Sequence, residues 1–483
     1  MRTRILALTF VLAPVLGRAP AFAQAPEPFA GACKDTVTWL ASDRLPDGTP
    51  PRARLLDTWL QRSDLDEELL DPAGIAALNV RNTLTAGAWR DPLAEPGPAF
   101  DDVDRELVDR LSHIDERVQS GEYQLGPTPD SDPRAPLEPS RYQAAWAAVR
   151  PRIEASLPPD PSRLGGTLQA LVEPADLRCI PLAAGLYRGR IDRAFDRNQC
   201  SRLPPGDLVR VLRQTRDGWL YVQAGHGVGW LESPLLSPPL SPAEARTLRE
   251  RPRLTVVDDL VPATTAHGDL SFLRFGSAFP LVSESESFYQ ILIPTHRGWD
   301  DAFVAKSPAL RPGVLPLTRR NVFTLAFQRL GDPYSWGGLG GFRDCSGLLL
   351  DTMATFDLRL GRNSSVQAQA GQTLEVGALS EAEKLEAIRR ADRQGIVFLY
   401  MPGHIMLYLG ELDGRPYALS AISEYLLPCP AGASPGLGPD AAPPHRTVRI
   451  DRIDVTDLER GRGTKRTAFL QRIERLAVFG RAL

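Results

Sequence analysis

The spacing of apolar side chains changes repeatedly along this chain, and each change predicts a different kind of element. Ile5 to Leu16 is a short unbroken apolar run behind Arg2 and Arg4, and Ala21-Phe22-Ala23 follows it. That layout predicts a cleavable export signal over residues 1–23, because the run is shorter than the ~20 residues a membrane span needs. Val103, Leu107, Leu111 and Ile114 recur at helical spacing and predict a helix within Asp101 to Gln119. Proline-rich pieces, Gly126 to Pro139 and Pro158 to Pro161, interrupt the surrounding segment, so residues 24–165 read as a helical and irregular region.

From 171 to 238 the pattern shortens to strands: Leu208–Leu212, the turn Asp217-Gly218, Trp219–Val222, then a Gly-rich turn into Trp230-Leu231. After the proline-rich stretch Ser233 to Pro242, a second all-β segment occupies 250–311, with Phe279–Val282 and Tyr289–Ile293 as its clearest strands. The last segment, 313–483, mixes periods. Arg319–Leu330 is helical, the apolar run Leu348, Leu349, Met353 and Phe356 predicts another helix, and Val397–Met401, Ile405–Leu409 and Tyr417–Ile422 predict strands joined by Pro402-Gly403 and Asp413-Gly414 turns. Ala431 to Pro444, rich in Gly and Pro, is predicted to be a surface loop. The whole is a multidomain α+β chain, and 483 residues are ample for several cores.

Charge adds little, and that itself excludes a class. The formal net charge is −3 and no basic stripe marks a nucleic-acid surface. No metal-ligand spacing surrounds the cysteines and no Gly-rich phosphate loop with Lys occurs, so no metal or nucleotide cofactor is expected. No later segment is apolar enough to span a bilayer, and no cysteine directly follows Ala23, so the expected product is periplasmic or secreted rather than lipid-anchored. The five cysteines, Cys33, Cys179, Cys200, Cys345 and Cys429, leave at least one free thiol. If Cys345 is that thiol, Cys179–Cys200 is the more plausible disulfide. Cys33 and Cys429 are open between a bridge joining the chain's two ends and two buried free thiols.

The candidate chemistry lies at Asp344-Cys345-Ser346-Gly347, behind Tyr334-Ser335-Trp336-Gly337-Gly338. Asp344 is a good helix N-cap, which puts the Cys345 sulfur in a first helical turn, where free N–H groups favour the thiolate. Gly403-His404 opens a strand and supplies the general base. The pair suggests a papain-like cysteine–histidine centre, with the Cys345 backbone N–H serving the oxyanion. His113 reads as a solvated helix residue and His226 as an exposed turn histidine.

These motifs resemble the NlpC/p60 cell-wall cysteine peptidases. The matching pieces are Leu330 to Gly338, Arg343 to Gly347, Gly361-Arg362-Asn363-Ser364-Ser365-Val366-Gln367 and Gly403 to Gly410. The Gly-Trp strands at 171–238 resemble bacterial SH3 domains, and 250–311 looks like a second, divergent SH3-type barrel. The resemblance implies an N-terminal clip, two SH3-like β barrels and a C-terminal papain-like α+β peptidase domain. It further implies a γ-D-glutamyl-diamino acid endopeptidase acting on peptidoglycan stem peptides or muropeptides. Cys345 is then the nucleophile and His404 the base, with Asp344 and Ser346 binding the substrate's free α-amine and Tyr334 taking the place of the family's substrate-binding site tyrosine; Trp336 is packing.

One position departs from the family pattern. The third polar residue, usually a histidine, falls at Ser420 in Leu419-Ser420-Ala421. A hydroxyl can accept from an imidazole N–H but offers no charge to an imidazolium. A strict two-residue Asp413-Gly414 turn also puts Ser420 on the sheet face opposite His404, so the pairing requires a longer loop or a bulge. Two alternatives follow: a non-catalytic or weakly active wall-binding protein, and an amidase or acyltransferase at the same centre.

Overall fold

The computed structural model describes residues 33, 35–84, 89–127, 139–158, 160, 162, 165–189, 191–429 and 444–481. The export signal at 1–23 and most of the loop 431–444 lie outside them. Among the described residues no helix is long and apolar enough to cross a membrane.

Three large sheets organise the described residues, beside a two-stranded one that pairs Tyr123–Gly126 with Gly185–Arg188. The first has six strands in the order Thr167–Ala170, Leu208–Gln214, Trp219–Ala224, Gly227–Glu232, Ala175–Arg178 and Gln199–Leu203. Its Asp217-Gly218 turn sits where the sequence predicts it, and Trp219 pairs with Glu232 across the next hairpin. Alternate residues of these strands, among them Val209, Val211, Val222 and Leu231, are buried between its faces. The Cys179–Cys200 disulfide links the end of Ala175–Arg178 to the neighbouring edge strand Gln199–Leu203.

The second sheet has seven strands between Arg253 and Pro312, all paired antiparallel, around a core that includes Leu254, Phe279, Ile291 and Val304.

The third, also of seven strands, carries the candidate site. Its order is Val37–Trp39, His445–Asp457, Arg415–Pro428, His404–Leu412, Gly395–Met401, Arg475–Gly480 and Gln372–Glu375. Val37–Trp39 pairs parallel and the rest antiparallel. One face is covered by the helices Arg319–Phe327 and Cys345–Ala354. The other is covered by Glu381–Gln394, whose capping box Ser380/Glu383 fixes its start. Helices on both sides of an antiparallel sheet make an α+β layer arrangement.

The N-terminal region behaves as two pieces rather than one. Trp59, Leu69, Ile75 and Leu78 enter the core under the cysteine helix, whereas Val103, Leu107, Leu111 and Ile114, on the helix Phe100–Gln119, pack against Tyr221 and Trp230 of the first sheet. The predicted helical spacing is thus real, but its apolar stripe faces a β sheet. The Cys33–Cys429 disulfide ties the first described residue to the third sheet, resolving the open choice for these two cysteines in favour of a bridge.

Candidate active site

The cysteine helix Cys345–Ala354 starts where its sequence directs. The Asp344 carboxylate caps it, Oδ1 accepting from the Gly347 amide at 2.7 Å and Oδ2 from the Gly337 amide at 2.9 Å. Leu348, Leu349 and Met353 bury its inner face. Gly337 has φ +68 and its Cα faces Gln199 of the first sheet, where a Cβ would come within 2.5 Å of that residue. Only glycine fits both conditions, which explains the Gly-Gly of the lead-in.

Cys345 is buried, unpaired and first in its helix. The amides of Ile405 and Ser346 point at its sulfur. Ile405 directly follows His404, so the thiol lies beside the start of the histidine strand. His404 is half-buried, and its Nε2 lies 3.1 Å from Ser420 Oγ. The Asp344 charge is close enough to act on the imidazole.

A bulge brings His404 and Ser420 to one face. The Asp413-Gly414 turn is a strict two-residue turn, with Leu412 opposite Arg415 and both turn residues at positive φ (53° and 73°). Gly410 still pairs with Tyr417, but the register then shifts, so that Tyr408 faces Ala418 and Leu407 faces Leu419. The extra residue, Leu409, moves Ser420 onto the His404 face.

The electrostatics correct one expectation. The helix start was to make Cys345 acidic, yet its thiol is pushed up to about 12. Burial is the largest cause and the Asp344 charge adds to it; the two amides and Arg362 pull the other way without winning. Burial likewise lowers His404 to about 4, helped by Arg472 and opposed by Asp344. The resting centre is therefore a neutral thiol beside a neutral imidazole. Either charge formed alone is penalised. Proton transfer from sulfur to ring creates both together, and their attraction in a poorly solvated site offsets the penalty.

Asp344 and Ser346 are also more engaged than expected. Arg362 donates from Nη1 to Asp344 Oδ1 (3.0 Å) and to Ser346 Oγ (2.9 Å), and from Nη2 to Asp344 Oδ2 (2.7 Å). The counter-charge foreseen from a substrate ammonium is thus already supplied by a buried guanidinium. Its Nε donates to Ser201 Oγ at 3.1 Å, and Ser201 is 3.0 Å from His226 Nε2. His226 is accordingly not an exposed turn residue but a buried one at the seam between the first sheet and the site. Its sequence neighbours, all glycine, gave no sign of that seam.

Tyr334 is buried beside Asp344 and Cys345, and burial, with the Asp344 charge adding to it, raises its phenol well above the ordinary range. Its ring stacks on Phe195 of the first-sheet domain at 5.1 Å. Arg197 lies 3.6 Å over the Trp336 ring, consistent with packing for that tryptophan. Sequence reasoning missed Arg362, Phe195, Arg197 and Arg472. Arg362 stood in a quoted motif without a role; the others carry no local signal.

Residues 331–414 match the NlpC/P60 family and residues 188–232 match the SH3 domain of the SH3b1 type. The chain is 26% identical over 143 residues to the γ-D-glutamyl-L-lysine dipeptidyl-peptidase of Bacillus subtilis (strain 168), over 29% of this chain and 46% of that protein. It thus spans about half the length of that curated relative. An NlpC/P60 endopeptidase from Photobacterium damselae subsp. piscicida shares its fold, with a TM-score of 0.66 and 17% identity, over 88% of this chain and 97% of that one. An NlpC/P60 family protein from Bacillus cereus ATCC 10987 aligns over 64% of this chain and 99% of that one, at TM-score 0.43 and 14% identity. The chain thus carries one segment that matches the NlpC/P60 family and one that matches an SH3 domain.

Proposed function

We propose that this NlpC/P60 protein is a peptidoglycan hydrolase, a cysteine endopeptidase that cleaves the γ-D-glutamyl–diaminopimelate bond of stem peptides. The observation that carries the reading is a first-turn cysteine beside a histidine held at 3.1 Å by Ser420. In the proposed reaction Cys345 Sγ attacks the γ-carbonyl carbon while His404 takes the thiol proton. The first-turn amide of Cys345, which has no helical carbonyl to bond, donates to the developing oxyanion. His404 returns the proton to the departing amine, leaving a thioester. Water then attacks the thioester with His404 again as base, restoring the thiol. Ser420 orients the imidazole without charge and so contributes less than a carboxylate does. The Tyr334 side chain faces the substrate's amino end. Asp344 and Ser346 lie beside it, held in place by Arg362.

In the same reading residues 24–165 form a clip, 250–311 a second SH3-type barrel, and the barrels narrow the groove around the peptide. Function in the periplasm or outside the cell fits the two disulfides. The test is incubation of the mature protein and its Cys345→Ala variant with L-Ala-γ-D-Glu-diaminopimelate. The wild type releases L-Ala-D-Glu and the variant does not; equal products from both, or none from either, would overturn the assignment.

The high thiol pKa and the uncharged Ser420 favour one second reading, a weakly active wall-binding protein. In that case intact wall binds but the defined peptide is left whole.

A further inference from the structure

Arg472 stands out for what it lacks. It ends the short helix Phe469–Arg472, partly buried, with its guanidinium carbon 5.8 Å from the Phe469 ring centroid. The same ring lies 6.3 Å from the imidazole of His404. In this domain the buried arginines Arg319, Arg343, Arg362, Arg449, Arg452 and Arg460 each hold a carboxylate. Arg472 holds none, and its side chain has no hydrogen-bond partner among the described residues. Its neighbour Arg466 is itself paired, with Glu424 at 3.2 Å. Burial and the Arg466 charge both disfavour the bare cation.

A half-desolvated, ring-backed guanidinium without a partner is a fork prepared for an anion, and carboxylate is the anion its geometry matches. Its position says which carboxylate. His404 hands its proton to the departing nitrogen, so groups beyond His404 meet the leaving residue. A carboxylate attached next to that nitrogen stays at the reacting bond, whereas the guanidinium packs on the Phe469 ring, whose centroid is 6.3 Å from that of the imidazole. One carried at the end of a long side chain reaches that guanidinium.

We propose that Arg472 is the receptor for the side-chain carboxylate of the leaving diamino acid, making the site select diaminopimelate over lysine. This rests on the hydrolase reading above. An ammonium-only side chain brings a second cation toward Arg472 and gains nothing. The side-chain carboxylate of diaminopimelate pairs with it and keeps the distal ammonium at the rim.

The test compares L-Ala-γ-D-Glu-diaminopimelate with L-Ala-γ-D-Glu-L-Lys as substrates of the full protein. Wild type is expected to prefer the first by about 10- to 100-fold in kcat/KM, the range of one charge-assisted pair. Arg472→Gln should collapse that ratio toward one, mainly through KM, and Arg472→Lys should restore part of it. An unchanged ratio, or equal losses on both peptides, overturns the proposal. Calorimetry on the Cys345→Ala background with the two intact peptides reads the same preference without turnover. If wild type cleaves neither peptide, the hydrolase reading falls. The binding ratio, lost or kept in the Arg472→Gln double variant, then decides Arg472 by itself.

Discussion

At the scale of single residues, this centre is governed by competition between burial and hydrogen bonding. His404 is lowered to about 4, so the imidazole stays unprotonated, and able to act as base, down to acidic pH. The acid limb of kcat/KM is therefore expected near pH 4 to 5, below the ~6.5 of a free histidine, and a pH–rate profile checks it. Ser420→Ala removes the one side-chain partner of the ring and should cost about 10-fold in kcat with little change in KM. Arg362→Gln leaves Asp344 buried without its counter-charge. Because Arg362 pulls the Cys345 pKa down, its loss should move the alkylation profile of Cys345 to higher pH. It should also cost about 2–4 kcal/mol of stability in urea unfolding. Much of this centre was legible from residue types alone. Asp344 as cap, Cys345 in the first turn and His404 at a strand start follow from local rules. The thiol's direction of shift was not, because burial belongs to the assembled core rather than to the motif.

Elements add what residue types cannot specify. The strict Asp413-Gly414 turn was readable, and from it followed the need for a correction of register; where the correction sits was not. It lies at Leu409, ahead of Gly410, whose φ is +132. Gly410→Ala forces a side chain into that conformation and should destabilise by about 1–2 kcal/mol. It should also raise the amplitude of hydrogen exchange along His404–Leu412, measurable by mass spectrometry. The helix Glu381–Gln394 escaped the sequence reading although its Ser380/Glu383 capping box is present in the chain. Its apolar positions Ala387, Ile388 and Ala391 are few and small, so periodicity alone is weak there. The helix Phe100–Gln119 was placed correctly, but not its partner, since an amphipathic stripe does not say which surface covers it.

Across the whole molecule, charged staples hold the sheets in relation to the site. Asp259, on the second-sheet domain, receives Arg329 at 3.0 Å and Arg343 at 2.7 Å, and Arg343 directly precedes Asp344. Burial would raise this carboxyl, but the Arg343 hydrogen bonds and the charges of Arg343 and Arg274 outweigh it and bring it to about 2. A folded pKa below the unfolded value contributes stability that is full above about pH 4 and is lost as pH falls through about 2. Asp259→Asn should flatten that acid dependence, cost about 2–4 kcal/mol, and expose the segment before Arg253 to protease, readable by limited digestion. The split of the N-terminal region between two bodies was invisible in the sequence because both halves have the same irregular, proline-broken composition.

The bond between Cys33 and Cys429 has a temporal meaning as well. Its two sulfurs are 396 residues apart, so the first waits until the residues between them have been synthesised. Closure thus reports that the chain has been made as far as Cys429, and a chain stopped before that residue keeps Cys33 unpaired. Copies stopped there would offer small thiol reagents Cys33 as well as Cys345, a second target that the bridged molecule lacks.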